Sequence, residues 1–305
     1  MVRLIFALGV LLLLPHAGAL QLGAAVSAWV RGEDAVYLGT EDGRILRYVP
    51  NEDRAELLWT LQPIERVTGP VQPKLFSLDA REGALLWVRE GRRGFRVVER
   101  FAFGQEPEPV VGEELRLAVV AAWFDDEDGY VLVLLDGEVA WLDAAGRITR
   151  RLQVTRSAVG DADRRGRYLA LGDEGGLVTL VDLEGGRIVA QSAAHRDKVL
   201  AVDLGERWLL SGGRDRRAAA LRLATGESLR LKAEFFVYSV ALDDEERLAA
   251  YTYDEQGTLR IVDLEARREQ AREGGFVGVD RLLFWKDGCL LLASEQGWVK
   301  CWRWR

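Results

Sequence analysis

The chain has 305 residues, 49% of them hydrophobic, and a formal net charge of −7. That apolar content excludes a generally disordered chain and suffices for one large domain or two ordinary ones. Its charges lie in short mixed runs with neither a basic stripe nor a lysine-rich arm, so nucleic acid is not an expected partner.

In chain order, the first element reads as a targeting segment. Arg3 supplies a positive start, Leu4 to Leu14 form a short apolar run, and Ala17-Gly18-Ala19 offers the small-x-small pattern cut by a signal peptidase. Residues 1–19 are therefore expected to be a signal peptide cleaved near Ala19, leaving a periplasmic or secreted protein. The run falls short of the roughly 18 to 20 apolar residues that cross a bilayer, and no other run of that length occurs, so no membrane span is expected in the mature chain.

Seven times thereafter a short apolar run, a tight turn built on Gly or Asp, and a second apolar run succeed one another as β-hairpins require. The turns fall near Gly43, Gly91, Gly137, Gly176, Asp215, Gly257 and Gly297, about 40 to 48 residues apart, against the roughly 40 to 45 of a four-stranded propeller blade. Paired-helix repeats share that period, but runs such as Val36 to Thr40 and Tyr168 to Gly172 are too short and too closely bracketed by turn residues for helices. The expectation is an all-β chain, a single domain over 20–305 forming a seven-bladed β-propeller of four-stranded antiparallel blades. The blades are placed at 20–71, 72–118, 119–162, 163–204, 205–242, 243–284 and 285–305, with Leu20 to Gly23 supplying the outer strand that the last blade lacks. Charged stretches after the third strand of a blade, such as Arg147 to Arg151 and Glu227 to Lys232, fit exposed outer strands; Glu265 to Gln270 fits either an outer strand or a short helix. The innermost strands, read at Ala25 to Trp29, Ala118 to Ala122, Val199 to Val202 and Val237 to Ala241, predict an apolar central channel.

Particular residues carry a family resemblance. Leu292 to Trp302 resembles the second strand, turn and third strand of a WD40 repeat. Ala194-His195, with Val199 and Val202 at the family's spacing, is similar to its Gly-His dipeptide, and Ser211-Gly212-Gly213-Arg214-Asp215 is similar to its Ser-Gly-Ser-x-Asp turn. Where the family has Trp-Asp, this chain has Leu142-Asp143, Val181-Asp182 and Val262-Asp263. The resemblance implies a binding surface built by loops at one end of the ring; with no convergent catalytic set, the expectation is a non-enzymatic protein-binding scaffold or assembly accessory, for an exported redox enzyme or an envelope complex, monomeric by itself. The resemblance also implies that His195, Ser211 and Asp215 form a buried hydrogen-bond network, cut short because Leu221 replaces the family's terminal Trp. A second resemblance, to quinoprotein-like repeats, rests on Gly39 to Leu46 with Leu58-Trp59 and on Leu78 to Gly83 with Leu86-Trp87. It implies the eight blades usual there, and an enzyme or small-molecule binder using the central channel.

Other candidates have plainer readings. His195, Ser211 and Asp215 evoke a nucleophilic triad, but the resemblance already accounts for them as structure. Asp125-Asp126-Glu127-Asp128-Gly129 does not fit a calcium loop, because Phe124 stands where a ligand oxygen is needed. Gly172 to Gly176 joins two strands and lacks the adjoining helix that would hold a phosphate. With no His or Cys cluster, neither a metal nor a cofactor is expected. What remains is a face formed by the loops leading into the innermost strands and the turns joining second and third strands. Arg92, Arg93, Arg214, Arg216, Arg217, Phe235, Phe236 and Phe276 are its expected partner-binding residues, since Arg and aromatic side chains anchor interfaces. Cys289 and Cys301 flank the last hairpin turn, either directly opposed and able to bond, or one residue out of step as two buried thiols.

Overall fold

The structure, a computed structural model, describes residues 18–126 and 128–304; Arg3 to Ala17, the body of the expected targeting segment, lies outside them. Seven four-stranded antiparallel sheets are arranged as blades. The first comprises Val26–Arg31, Val36–Thr40, Arg44–Val49 and Arg54–Thr60, from innermost to outermost. The fourth comprises Val159–Arg165, Tyr168–Asp173, Val178–Asp182 and Arg187–Ser192, and the fifth Val199–Leu204, Trp208–Gly213, Arg217–Arg222 and Ser228–Lys232.

Burial explains why these segments are strands. A middle strand such as Val178–Asp182 is covered on both faces by neighbouring blades and is buried at every position, whereas Arg187–Ser192 at the rim is largely exposed. There is accordingly no single core. Leu132, Leu134 and Ala140 of the third blade pack toward the second blade, and Val131, Val133 and Val139, one step along the same strands, pack toward the fourth. The period-two alternation of each strand thus feeds two separate hydrophobic layers.

Residues from both ends of the chain seal the ring. Leu20 pairs with Val299 and Gln21 with Trp298, making Leu20–Gln21 the outermost strand of the seventh blade. The N–H groups of Leu22 and Gly23 donate to the Gly297 carbonyl at 2.8 and 3.2 Å. In the same blade Cys289 and Cys301 are linked, with Cα atoms 5.5 Å apart. Cys289 lies opposite Arg303 and Cys301 opposite Leu291. The two are therefore diagonal neighbours on one face, corresponding to neither register read from the sequence; the strand twist draws one diagonal together.

Two expectations are corrected. Glu265–Arg267 form a turn, with Arg267 in the left-handed region at φ 52°, and the outer strand is Arg268–Glu273 rather than a helix. The innermost strands Val199–Leu204, Val240–Leu242 and Val279–Phe284 begin the fifth, sixth and seventh blades, and Val159–Arg165 begins the fourth, whereas the partition at 163, 205, 243 and 285 cuts or misplaces them. The loop into each strand, not the hairpin turn, is the true punctuation. An additional ribbon, Ile64–Arg66 paired with Gly69–Val71, belongs to no blade and carries the fully exposed Val67 at its tip.

Candidate partner-binding face and the central channel

The loops into the innermost strands and the turns between second and third strands share one end of the ring, here called the upper face. At the seam between the fifth and sixth blades, Phe235 and Phe236 stack with ring centroids 4.4 Å apart, and Tyr238 lies 6.2 and 6.1 Å from them. The Arg214 guanidinium sits 5.1 Å from the Phe236 ring, a cation–π distance. Backbone bonds on both sides hold the loop: Glu234 and Phe235 N–H donate to the Tyr253 carbonyl at 2.9 and 3.0 Å, and Val237 N–H to that of Gly213 at 3.1 Å. Phe235 and Phe236 are half-buried, while Tyr238 is 45% exposed.

The structure thus sets Arg214 against Phe236, with Arg214 and Arg216 exposed in the same turn, whereas Arg217, in step with Ala219, faces the fourth blade rather than the aromatic rings. Arg92 and Arg93 are exposed too, but on a short 3-10 turn of the second blade, Arg92–Gly94. Phe276 is the exception. Its N–H donates to the Gly257 carbonyl, and its ring lies buried 5.4 Å from that of Trp302, so it is core between the sixth and seventh blades rather than surface. Tyr238 was missed because Val237 to Ala241 reads as a channel strand; the actual strand is only Val240–Leu242.

His195 lies beneath this face. Its Nδ1 is 2.9 Å from Asp215 and its Nε2 2.9 Å from the Ser211 hydroxyl. A carboxylate can only accept, which assigns the proton to Nδ1 and leaves Nε2 to accept from Ser211. Burial, working against Asp215, pushes the ring's pKa below its usual range and favours the neutral form. Gly213 makes room for the ring: a Cβ there would come within 2.5 Å of Nδ1. The connectivity is that of a nucleophilic triad, but Ser211 and His195 are only 2% and 5% exposed, which closes the hydroxyl to substrate. Beside Ser211, where Leu221 stands, a cavity of about 20 Å³ also lined by Leu209 and Ala219 has room for about one water. His195→Ala is expected to cost about 2 to 4 kcal/mol by stranding Asp215 and Ser211, with partner binding retained in the folded fraction. Thermal denaturation beside a binding assay checks this; lost turnover at unchanged stability would restore the catalytic reading.

The channel differs from its apolar expectation. In six blades the innermost strand carries a bulge after its first residue, for example between Val159 and Asp161. The extra residue inverts the inside–outside alternation beyond it. Polar side chains at the inverted positions bond the next blade. Ser77 and Asp79 accept from the N–H groups of Ala122 and Phe124 at 3.2 and 2.9 Å, Asp161 and Asp163 from Val202 and Leu204 at 2.8 and 2.7 Å, and Asp203 from Leu242 at 2.6 Å. Arg281, beyond the seventh blade's bulge, donates to the Ser27 carbonyl at 2.7 Å, while in the sixth blade, whose innermost strand has no bulge, Ser239 just before it accepts from Leu282 N–H at 3.0 Å. Burial raises the Asp161 pKa to about 6. Asp163 is pushed well above the carboxylate range by burial and then by the charge of Asp203.

Carboxylates also organise the lower face. Glu246, in a turn of the sixth blade, accepts from the N–H groups of Glu206, Arg207 and Trp208 in the fifth at 2.6, 2.7 and 2.9 Å. At two of the positions where the family has Trp-Asp, Asp182 accepts from Gly185 N–H and pairs with Arg167, and Asp263 accepts from Ala266 N–H and pairs with Arg247. The acidic stretch after Phe124 is held by arginines of adjacent blades, Asp125 by Arg164 and Asp128 by Arg81.

No family model matches the sequence, and no curated protein matches it. Solved structures do resemble the fold. The WD40 β-propeller domain of Doa1 is 16% identical at a TM-score of 0.70, over 93% of this chain and 94% of that one. A chain of the mitotic checkpoint complex is 16% identical at 0.72, over 94% and 89%. The computationally designed protein Ika8 is 16% identical at 0.67, over 94% and 98%. With seven blades rather than eight, and WD40 domains among its structural neighbours, the chain has the WD40-type β-propeller fold.

Proposed function

We propose that this chain is an exported, non-enzymatic scaffold, monomeric by itself, that holds a protein partner on its upper face as an assembly accessory for an envelope complex or an exported redox enzyme. The observation that carries the reading is the cluster of Phe235, Phe236, Tyr238 and Arg214, a rigidly backed aromatic surface topped by a guanidinium, the composition that anchors interfaces. The apolar N-terminal run and the linked cysteines support export. The rival reading, a small-molecule site in the channel, has in its favour a cavity of about 320 Å³ lined by Asp161, Asp163, Asp203 and Arg281. Those carboxylates already serve as ties between blades, which accounts for them without a ligand.

A photo-crosslinking residue placed at Tyr238 is expected to capture one defined partner in the native envelope, whereas the same residue at Gln270, on the outer rim, captures none. Equal yields at both positions, or none at either, would defeat the reading.

A further inference from the structure

The upper end of the fifth blade carries cations that the fold leaves unneutralised. Arg217 lies directly across from Lys232, and Arg230 pairs with Ala219, two residues along the same face, so three like charges share one patch. Like charges directly opposed across strands destabilise a sheet. Among the described residues no ion pair relieves Arg217, Arg230 or Lys232, nor Arg214 and Arg216 in the adjoining turn, although elsewhere outer arginines pair readily, as Arg222 does with Glu265. The nearby acids are engaged. Asp215 takes the His195 ring and the Arg196 N–H, Asp197 accepts from Lys198 N–H, and Glu234 accepts from the Tyr253 hydroxyl. A concentrated positive patch in a chain of net charge −7 is a local departure from its composition. The patch faces the fourth blade, whereas the aromatic cluster lies at the seam with the sixth; Arg214, in the turn at the blade's upper edge, reaches the Phe236 ring between them, so a segment laid across that edge meets both.

We propose that the upper end of the fifth blade binds an extended acidic segment of a partner protein, its carboxylates along Arg217, Lys232 and Arg214 and an apolar side chain against Phe235, Phe236 and Tyr238. This rests on the scaffold reading and names the chemistry of the partner. A peptide fits better than a nucleic acid, because the cations occupy one blade only and the chain's overall charge repels a long polyanion. The two Phe rings moreover stack on each other, leaving no open face between them for a base.

The test is selection of a random peptide library displayed on phage against the full mature chain, with affinities of the selected peptides then measured at low and high salt. Selected sequences should place Asp or Glu around one aromatic or aliphatic residue, and their binding should weaken with salt. Arg217→Glu should weaken it at least about tenfold while holding or raising the melting temperature, since Lys232 gains an opposite charge. Phe236→Ala should weaken the same peptides with a smaller change in salt dependence. Selected peptides without acidic bias, failure to select any, unchanged affinity in Arg217→Glu, or equally tight binding of a single-stranded oligothymidylate would overturn the proposal. Partner capture at Tyr238 does not depend on the partner's charge, so capture without acidic selection would sink this inference and leave the scaffold reading standing.

Discussion

Replacing Glu246 by alanine is expected to remove about 3 to 5 kcal/mol of stability, the largest loss among the polar side chains that tie one blade to the next. Its carboxylate, 7% exposed, accepts three successive N–H groups of a turn in the neighbouring blade. Truncation strands those donors where little water reaches them, and donors left unmade cost more than the mean worth of a hydrogen bond. Glu246→Gln is expected to fall between, because one carboxylate oxygen becomes an amide that points its own hydrogens at the Arg207 and Trp208 donors or the Glu206 donor. Denaturant unfolding of parent, Gln and Ala forms checks the order; an alanine loss under about 1 kcal/mol would show the turn to be held by something else.

Asp163→Asn is expected to act in the opposite direction, stabilising the fold by about 1 to 3 kcal/mol near neutral pH. The carboxamide oxygen still accepts from Leu204 N–H, while the charge buried beside Asp203 is gone. The sign comes from linkage. A carboxylic acid whose folded pKa lies above its unfolded value holds its proton more tightly in the folded state. Its contribution is therefore complete below about pH 4 and is lost as pH rises, through about 6 for Asp161 and through the raised folded value of Asp163. Asparagine has nothing to lose over that range, so the gap between variant and parent should open from pH 4 to 7. Residual water on the channel side screens the repulsion and sets the lower bound. A constant gap across that range would show that the charge on Asp163 is not what the fold works against.

These two carboxylates also mark the limit of what could be read from the residues in order. The hairpin turns announce themselves, since Gly137, Gly176, Gly257 and Gly297 sit in the left-handed region between apolar runs, and their period reveals the blades. Asp161 and Asp163 look like solvent residues on an alternating strand. A bulge one residue upstream turns them toward the next blade, and no side chain signals a bulge at Gly160 rather than at any other loop-like glycine. Glu246 sits in a run of four acids, Asp243 to Glu246, with nothing local to single it out; its donors lie about 40 residues upstream in the adjoining blade. The network of His195, Ser211 and Asp215 was legible because its spacing repeats a family pattern. Arg214, Phe235 and Phe236 were legible because turn positions fix them on one face, whereas Phe276 depended on side-chain direction within its loop, and its ring turns inward onto Trp302.

The two-residue clasp has a kinetic consequence. Leu20–Gln21 can pair only once Trp298 and Val299 exist, so ring closure joins residues far apart in sequence and waits until the seventh blade has been made. Until then the first and seventh blades each present an uncovered apolar face, and a nascent or truncated chain is most prone to aggregate at that seam. In the finished ring the same short strand is where opening should start. Amides of Leu22 and Gly23 are then expected to exchange through local fraying, well before those of the middle strands such as Leu132 and Leu171, whose exchange tracks the global unfolding of the ring.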